Sequence, residues 1–183
     1  MTTYSDIIDI ILEQNIVAMH QGRSEAGPRA LGNRSILFDP RNPDGRDIVN
    51  TVKKREFFRP FAATVMLEHV NDWFDMKGIK ESHFMMYAVD ALPKVHDLIP
   101  AVLHVDNTCR LQTVTKEENP HYYSLISEFN DRTGVPMLLN TSFNLAGDPL
   151  VETVDDAIGT LNRSEIEYLF LPEKSELITV KNP

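Results

Sequence analysis

PHYYSLISEFNDRTGVPMLLNTSFN, residues 120–144, carries a helix, its stop signal, a strand and a polar turn in one run. Pro120 suits the first turn of a helix, where its missing N–H removes no hydrogen bond. Leu125, Ile126 and Phe129 recur at helical spacing, and Gly134 can close the segment in a left-handed conformation. The spacing predicts a helix over Pro120–Thr133. Residues 135–139 follow as a compact apolar strand, and residues 139–144 (LNTSFN) as a turn of short polar side chains. A helix running directly into a buried strand points to a mixed α/β fold.

The same alternation extends in both directions. Residues 5–14 (SDIIDIILEQ) predict a helix capped by Thr3 or Ser5, and residues 16–20 a short apolar strand. Residues 46–53 predict a helix, residues 60–67 (PFAATVML) a buried strand, and residues 68–74 a helical turn that sets Trp73 and Phe74 against the core. Lys77, Lys80 and Glu81 mark an exposed loop before a strand at residues 85–89 (MMYAV). Residues 102–106 and 109–115 read as two strands around a turn at Asn107. Thr153 caps a further helix over residues 153–163, with Asp155 and Asp156 in its first turn. Residues 166–171 and 177–180 close the chain as strands. There is no internal repeat, low-complexity tract or Ser/Gly linker, so one domain over residues 1–183 is expected.

Composition narrows the functional classes. With 183 residues, 42% of them hydrophobic, the chain can bury one sizeable core. Mean hydropathy is −0.25, and no apolar run approaches the roughly 20 residues that cross a bilayer, so no membrane partner is expected. The first residues lack the basic and apolar pattern of a secretory signal. Cys109 is the single cysteine, which excludes an internal disulfide or zinc ribbon and suits a cytoplasmic location. With no base nearby in sequence it reads as a core thiol. The six histidines show no metal-binding spacing and there is no GxSxG nucleophile turn, so no metal site and no serine hydrolase are expected.

A net charge of −9 disfavours a nucleic-acid partner, but the charge is segregated. Residues 22–60 hold nine basic against five acidic side chains. Within them residues 22–35 (GRSEAGPRALGNRS) compress three glycines and the arginines Arg23, Arg29 and Arg34 behind a strand, with Asn33 and Ser35 as neutral donors. Glycine permits close backbone approach and arginine supplies planar forks for phosphate or carboxylate oxygens. The segment matches neither a Walker A loop nor a GxGxxG turn, and a surface loop of solvated arginines is the alternative. Residues 53–60 (KKREFFRP) place Lys53, Lys54, Arg55 and Arg59 around Phe57 and Phe58, which with Phe61 should be at least partly buried. A helix end whose cations complement its dipole explains them equally. Asn140, Thr141, Ser142 and Asn144 lie at the carboxyl end of a strand, where α/β sheets bind ligands, although polar turns there are ordinary. Arg110, inside a strand, needs a salt-bridge partner or an anion.

With those segments in view, the chain resembles the C-terminal domain of the large O-carbamoyltransferases of the nodulation and antibiotic-tailoring type. The resemblance runs over residues 16–171. It rests on GRSEAGPRALGNRSIL (22–37), DPRNPDGRDIVNTVKKREFFRPFA (39–62), HVDNTCRLQTV (104–114) and TGVPMLLNTSFNLAGDPLVET (133–153). It implies a YrdC-like fold, an open twisted mixed sheet with flanking helices and a basic concave face. It implies formation of carbamoyl-adenylate from carbamoyl phosphate and ATP with magnesium. An N-terminal ASKHA-type domain, not present in this sequence, would then transfer the carbamoyl group. By the same resemblance Lys53, Arg59 and Arg110 are the catalytic candidates, with Arg55 in a Lys-x-Arg position beside them. Ser142 and Asn144 match a Ser-x-Asn element that binds ATP phosphates. Arg23, Glu25 and Arg29 fall in the glycine-flanked segment, Glu25 tying the loop's arginines together. A non-catalytic nucleotide-, anion- or RNA-binding module of the same fold is the alternative.

Overall fold

The computed structural model describes residues 1–180. In chain order these form α1 (Tyr4–Leu12), β1 (Val17–His20), β2 (Arg34–Phe38), α2 (Gly45–Val52), β3 (Ala62–Met66), the single turn α3 (Val70–Trp73) and β4 (Phe74–Asp75). After them come β5 (Tyr87–Ala91), β6 (Thr108–Val114), α4 (Pro120–Thr133), β7 (Met137–Ser142), α5 (Val154–Leu161), β8 (Tyr168–Leu171) and β9 (Glu176–Thr179). The strands make one sheet in the order β4-β5-β6-β3-β7-β2-β1-β8-β9. β1 runs parallel to β8 and β3 to β6, and the other neighbours are antiparallel.

The core strands are apolar on both faces, as expected of a sheet covered by helices. Val17, Ile36, Leu37, Val65, Leu111, Leu138 and Leu139 are fully buried. α1 and α4 pack on each other; Ile7, Ile8 and Ile11 of one and Tyr122, Leu125, Ile126 and Phe129 of the other are inaccessible to solvent. α4 has the bounds its sequence predicts. Asn119 caps it by accepting the Tyr122 N–H at 3.1 Å, and Gly134 ends it at φ 73°. Asn119 Oδ1 also accepts from Gln21 at 3.0 Å, so the cap ties the helix to the end of β1. Asn119→Ala is therefore expected to lower stability by about 1–2 kcal/mol, read as a reduced denaturation midpoint at unchanged slope.

Three expectations are corrected. Residues 102–106 are not a strand: Pro100–Val102 is a 3₁₀ turn, and the Asn107 N–H closes a second turn on the His104 carbonyl at 3.0 Å, with Asn107 at φ 61°. β2 emerges where a loop was expected, because Arg34 and Ser35 pair with His20 and Met19 of β1 despite their polarity. The strand at residues 85–89 begins only at Tyr87, since Met85 adopts φ 53°.

Candidate functional site

Strand register builds the floor of the site. Ala62 of β3 pairs with Arg110 of β6 on one side and with Asn140 of β7 on the other. Paired residues share a face of the sheet, so Arg110, Ala62 and Asn140 form one cross-strand row with the smallest side chain in the middle. Thr64 and Gln112 make the next row, joined by a 2.7 Å hydrogen bond. The glycine-flanked segment is hung on these polar side chains: Gln112 Nε2 donates to the Leu31 carbonyl at 2.9 Å and Asn140 Nδ2 to that of Ala30 at 3.2 Å.

Above Ala62 lies a cavity of about 110 Å³ walled by Arg29, Arg55, His104, Arg110, Thr141 and Ser142. Water occupies about 30 Å³ in the liquid, so the space suits a group of a few heavy atoms. Arg110 has no carboxylate partner among the described residues, where a salt bridge was one expectation. Burial first and the Arg29 cation second hold its pKa below the usual guanidinium range. Arg55 stacks 4.3 Å over the Phe61 ring and donates from Nε to Asn50 at 2.6 Å, which fixes its plane. Its buried Nη2 has no partner, and burial with the nearby Arg59 brings its pKa down to about 10. Cations assembled this way lower one another's affinity for protons, and an anion between them relieves the repulsion.

Arg55 and Ser142 also line a larger hollow of about 620 Å³ with Lys53, Arg59 and Asn144. Arg59 is paired with Glu56 at 2.8 Å and remains more than half exposed. Asn144 Oδ1 accepts the Ser142 hydroxyl at 2.6 Å. Lys53 reaches the wall of that hollow but is buried, and its ammonium is bonded to oxygens of the 142–144 turn. Phe57 and Phe58 are 60% and 79% exposed, against the expectation of burial; Phe61 alone of the three enters the core.

The remaining candidates, Asn140 apart, are not brought to this cluster. Arg34 is 2% exposed, and its guanidinium donates to backbone carbonyls of Gly22 and Glu152 at 3.2 and 2.9 Å and to those of Gln21 and Asn33, so it braces the loop. Ser35 is buried and accepts the Gly32 N–H at 3.0 Å. Glu25 ties backbone amides, not arginines: its Oε1 accepts from Leu31 and Asn33 at 2.7 and 2.8 Å. Glu25 and Asn33 line a separate hollow of about 520 Å³ with His83, Gln112 and Glu118. Arg23 is exposed. Asn140 is buried, its amide holding Ala30 and Thr64, so it supports the floor.

His104 was not anticipated. Its Nδ1 lies 2.9 Å from Thr108 Oγ1, its Nε2 is buried without a partner, and burial keeps its pKa low. The visible signal was the Asn107 turn, which folds His104 back toward Arg110. Cys109 is fully buried, and desolvation pushes its pKa up to about 12, as a core thiol requires. Among the described residues no three His, Cys, Asp or Glu side chains assemble into a metal cluster, and no helix is long and apolar enough to cross a membrane.

Residues 8–176 match the family described as Carbamoyltransferase C-terminus. The chain belongs to that family. This carbamoyltransferase C-terminal chain is 42% identical over 167 residues to nodulation protein NolO of Bradyrhizobium diazoefficiens, covering 90% of itself and 30% of that protein. It is 37% identical over 152 residues to the 3'-hydroxymethylcephem-O-carbamoyltransferase of Streptomyces clavuligerus, covering 83% of itself and 28% of that enzyme. It thus spans under a third of the length of these curated relatives. Among solved structures, full-length HypF in its phosphate- and nucleotide-bound form superposes with a TM-score of 0.62 at 16% identity, over 86% of this chain and 23% of HypF. That likeness concerns the fold, which is the expected YrdC-like α/β architecture.

Proposed function

We propose that this carbamoyltransferase C-terminal chain forms carbamoyl-adenylate from carbamoyl phosphate and ATP, as one part of an O-carbamoyltransferase. The observation that carries the proposal is the meeting of Arg29, Arg55 and Arg110 around one small cavity, with a buried guanidinium nitrogen left unpaired. The cavity suits the carbamoyl phosphate anion. The adjoining hollow, with Arg59, Ser142 and Asn144, is large enough for the phosphates of ATP.

In this reading water hydrolyses carbamoyl phosphate to carbamate and inorganic phosphate. A carbamate oxygen attacks the α-phosphorus of ATP, the bond to the β-phosphate oxygen breaks, and pyrophosphate leaves. Negative charge gathers on several oxygens in both steps, and fixed guanidinium groups in a desolvated hollow stabilise it without reorganising. Arg55, held flat by Phe61 and Asn50, offers its free Nη2 to the phosphate, and Arg29 and Arg110 face it from the other walls. The residues around the hollow do not fit a protein-held metal, because its walls are cationic; magnesium would arrive with the nucleotide, and no step is routed through it. Transfer to an acceptor hydroxyl belongs to further chain of the kind the longer relatives carry.

The test is pyrophosphate release by the chain supplied with ATP, magnesium and carbamoyl phosphate. Release that requires carbamoyl phosphate is the expected result. ATP binding with no release under any condition would instead identify a binding module.

A further inference from the structure

Lys53 follows α2 and is 3% exposed. An ammonium has three N–H donors and no acceptor. Three oxygens receive them: the Ser142 carbonyl, the Asn144 carbonyl at 2.8 Å and Asn144 Oδ1 at 3.2 Å. The lysine's own carbonyl accepts the Ala146 N–H at 3.0 Å, and Asn144 Nδ2 extends the network to the Asp148 carbonyl at 2.7 Å. One residue beyond α2 therefore grips residues 142–146 through backbone and side chain together. Burial, and then the Arg55 cation, pull its pKa down to about 7, while the three oxygens favour the ammonium. No donor remains for a ligand, in contrast to Arg55 with its free Nη2.

We propose that Lys53 is a positioning residue: it fixes the 142–146 turn against the arginine-lined hollow and does not itself touch the bound anion. This rests on the reading of the hollow as an anion site. Its consequence is a division of labour in the Lys-x-Arg pair, with Lys53 building the wall and Arg55 meeting the ligand.

The test is calorimetric titration of the chain with inorganic pyrophosphate at several salt concentrations. Lys53→Met is expected to weaken binding about tenfold while leaving the salt dependence at the parent's slope, because no charge contact with the ligand is lost. Asn144→Ala should weaken it similarly, and the double variant should lose little more, since both changes release one turn. Arg55→Ala should flatten the salt dependence. A Lys53→Met slope as flat as that of Arg55→Ala, additive losses, or an unchanged affinity would each overturn the proposal.

If Lys53→Met does not fold, the unsubstituted protein decides. With ¹⁵N-labelled lysine, the Lys53 ammonium resonance should be protected from exchange and unmoved by saturating pyrophosphate, and a shift on saturation would make it a direct ligand. An unsubstituted chain that binds no pyrophosphate overturns the anion reading and the purpose of the clamp together. A flattened slope in Lys53→Met overturns the clamp alone.

Discussion

Replacing Arg110 with alanine is expected to slow carbamoyl-phosphate-dependent pyrophosphate release about 10²–10³-fold, the range found on removing one preorganised donor to a developing oxyanion. The stability of the ligand-free protein should change little. Arg110 makes no salt bridge among the described residues, and its strongest charged neighbour is another cation, Arg29, so its removal relieves repulsion as well as deleting packing. Loss of turnover with preserved melting separates Arg110 from Arg34, whose guanidinium holds four backbone carbonyls and whose removal would unfasten the loop. Initial rates and a melting curve on the same sample check both halves. A rate within about twofold of the parent would take Arg110 out of the chemistry.

The second large effect is on folding, at Gly32. Its φ of +109° is open to glycine alone, and a Cβ there would stand 2.2 Å from Cδ1 of the fully buried Tyr122. Gly32→Ala combines backbone strain with a steric collision against a ring that has no space to move. The expected loss is roughly 3–5 kcal/mol, or a melting temperature lower by on the order of 10 °C. In a Tyr122→Ala background the same substitution should cost measurably less, because the colliding atoms from Cγ outward are gone and only the strain remains. Equal costs in both backgrounds, measured by denaturation, would show that the ring does not set the limit.

What the sequence disclosed follows from how local each signal is. α4 was legible to the residue because its start and stop signals, Pro120 and Gly134, lie at the ends of the helix's own segment. β2 was not, because Arg34 and Ser35 look like loop residues until their partners on β1 and β7, one of them more than 100 positions away, are known. Phe57 and Phe58 obeyed no burial rule, since the turn between α2 and β3 directs them outward. At the site, residue types led to the expectation of an anion pocket, and Arg29, Arg55, Arg59, Arg110 and Ser142 line two adjoining hollows. Charge alone could not distinguish a cation with a donor to spare from one whose donors are already taken by protein oxygens, which is why Lys53 and Arg34 resembled the others. His104 was hidden for a related reason: only the turn at Asn107 brings it within reach.

The central position of β7 bears on how the chain acquires its shape during synthesis. This strand, complete only at residue 142, lies between β2 and β3 and is the one bridge between the two halves of the sheet. A ribosome must therefore release everything through residue 142 before those halves can join, and until then β2 and β3 expose unpaired edges. The last residues of β7 are also part of the pocket wall, so the hollow takes shape only as the two halves join, with β8 and β9 still to add the far edge. A truncation before residue 137 would leave neither hollow nor joined sheet.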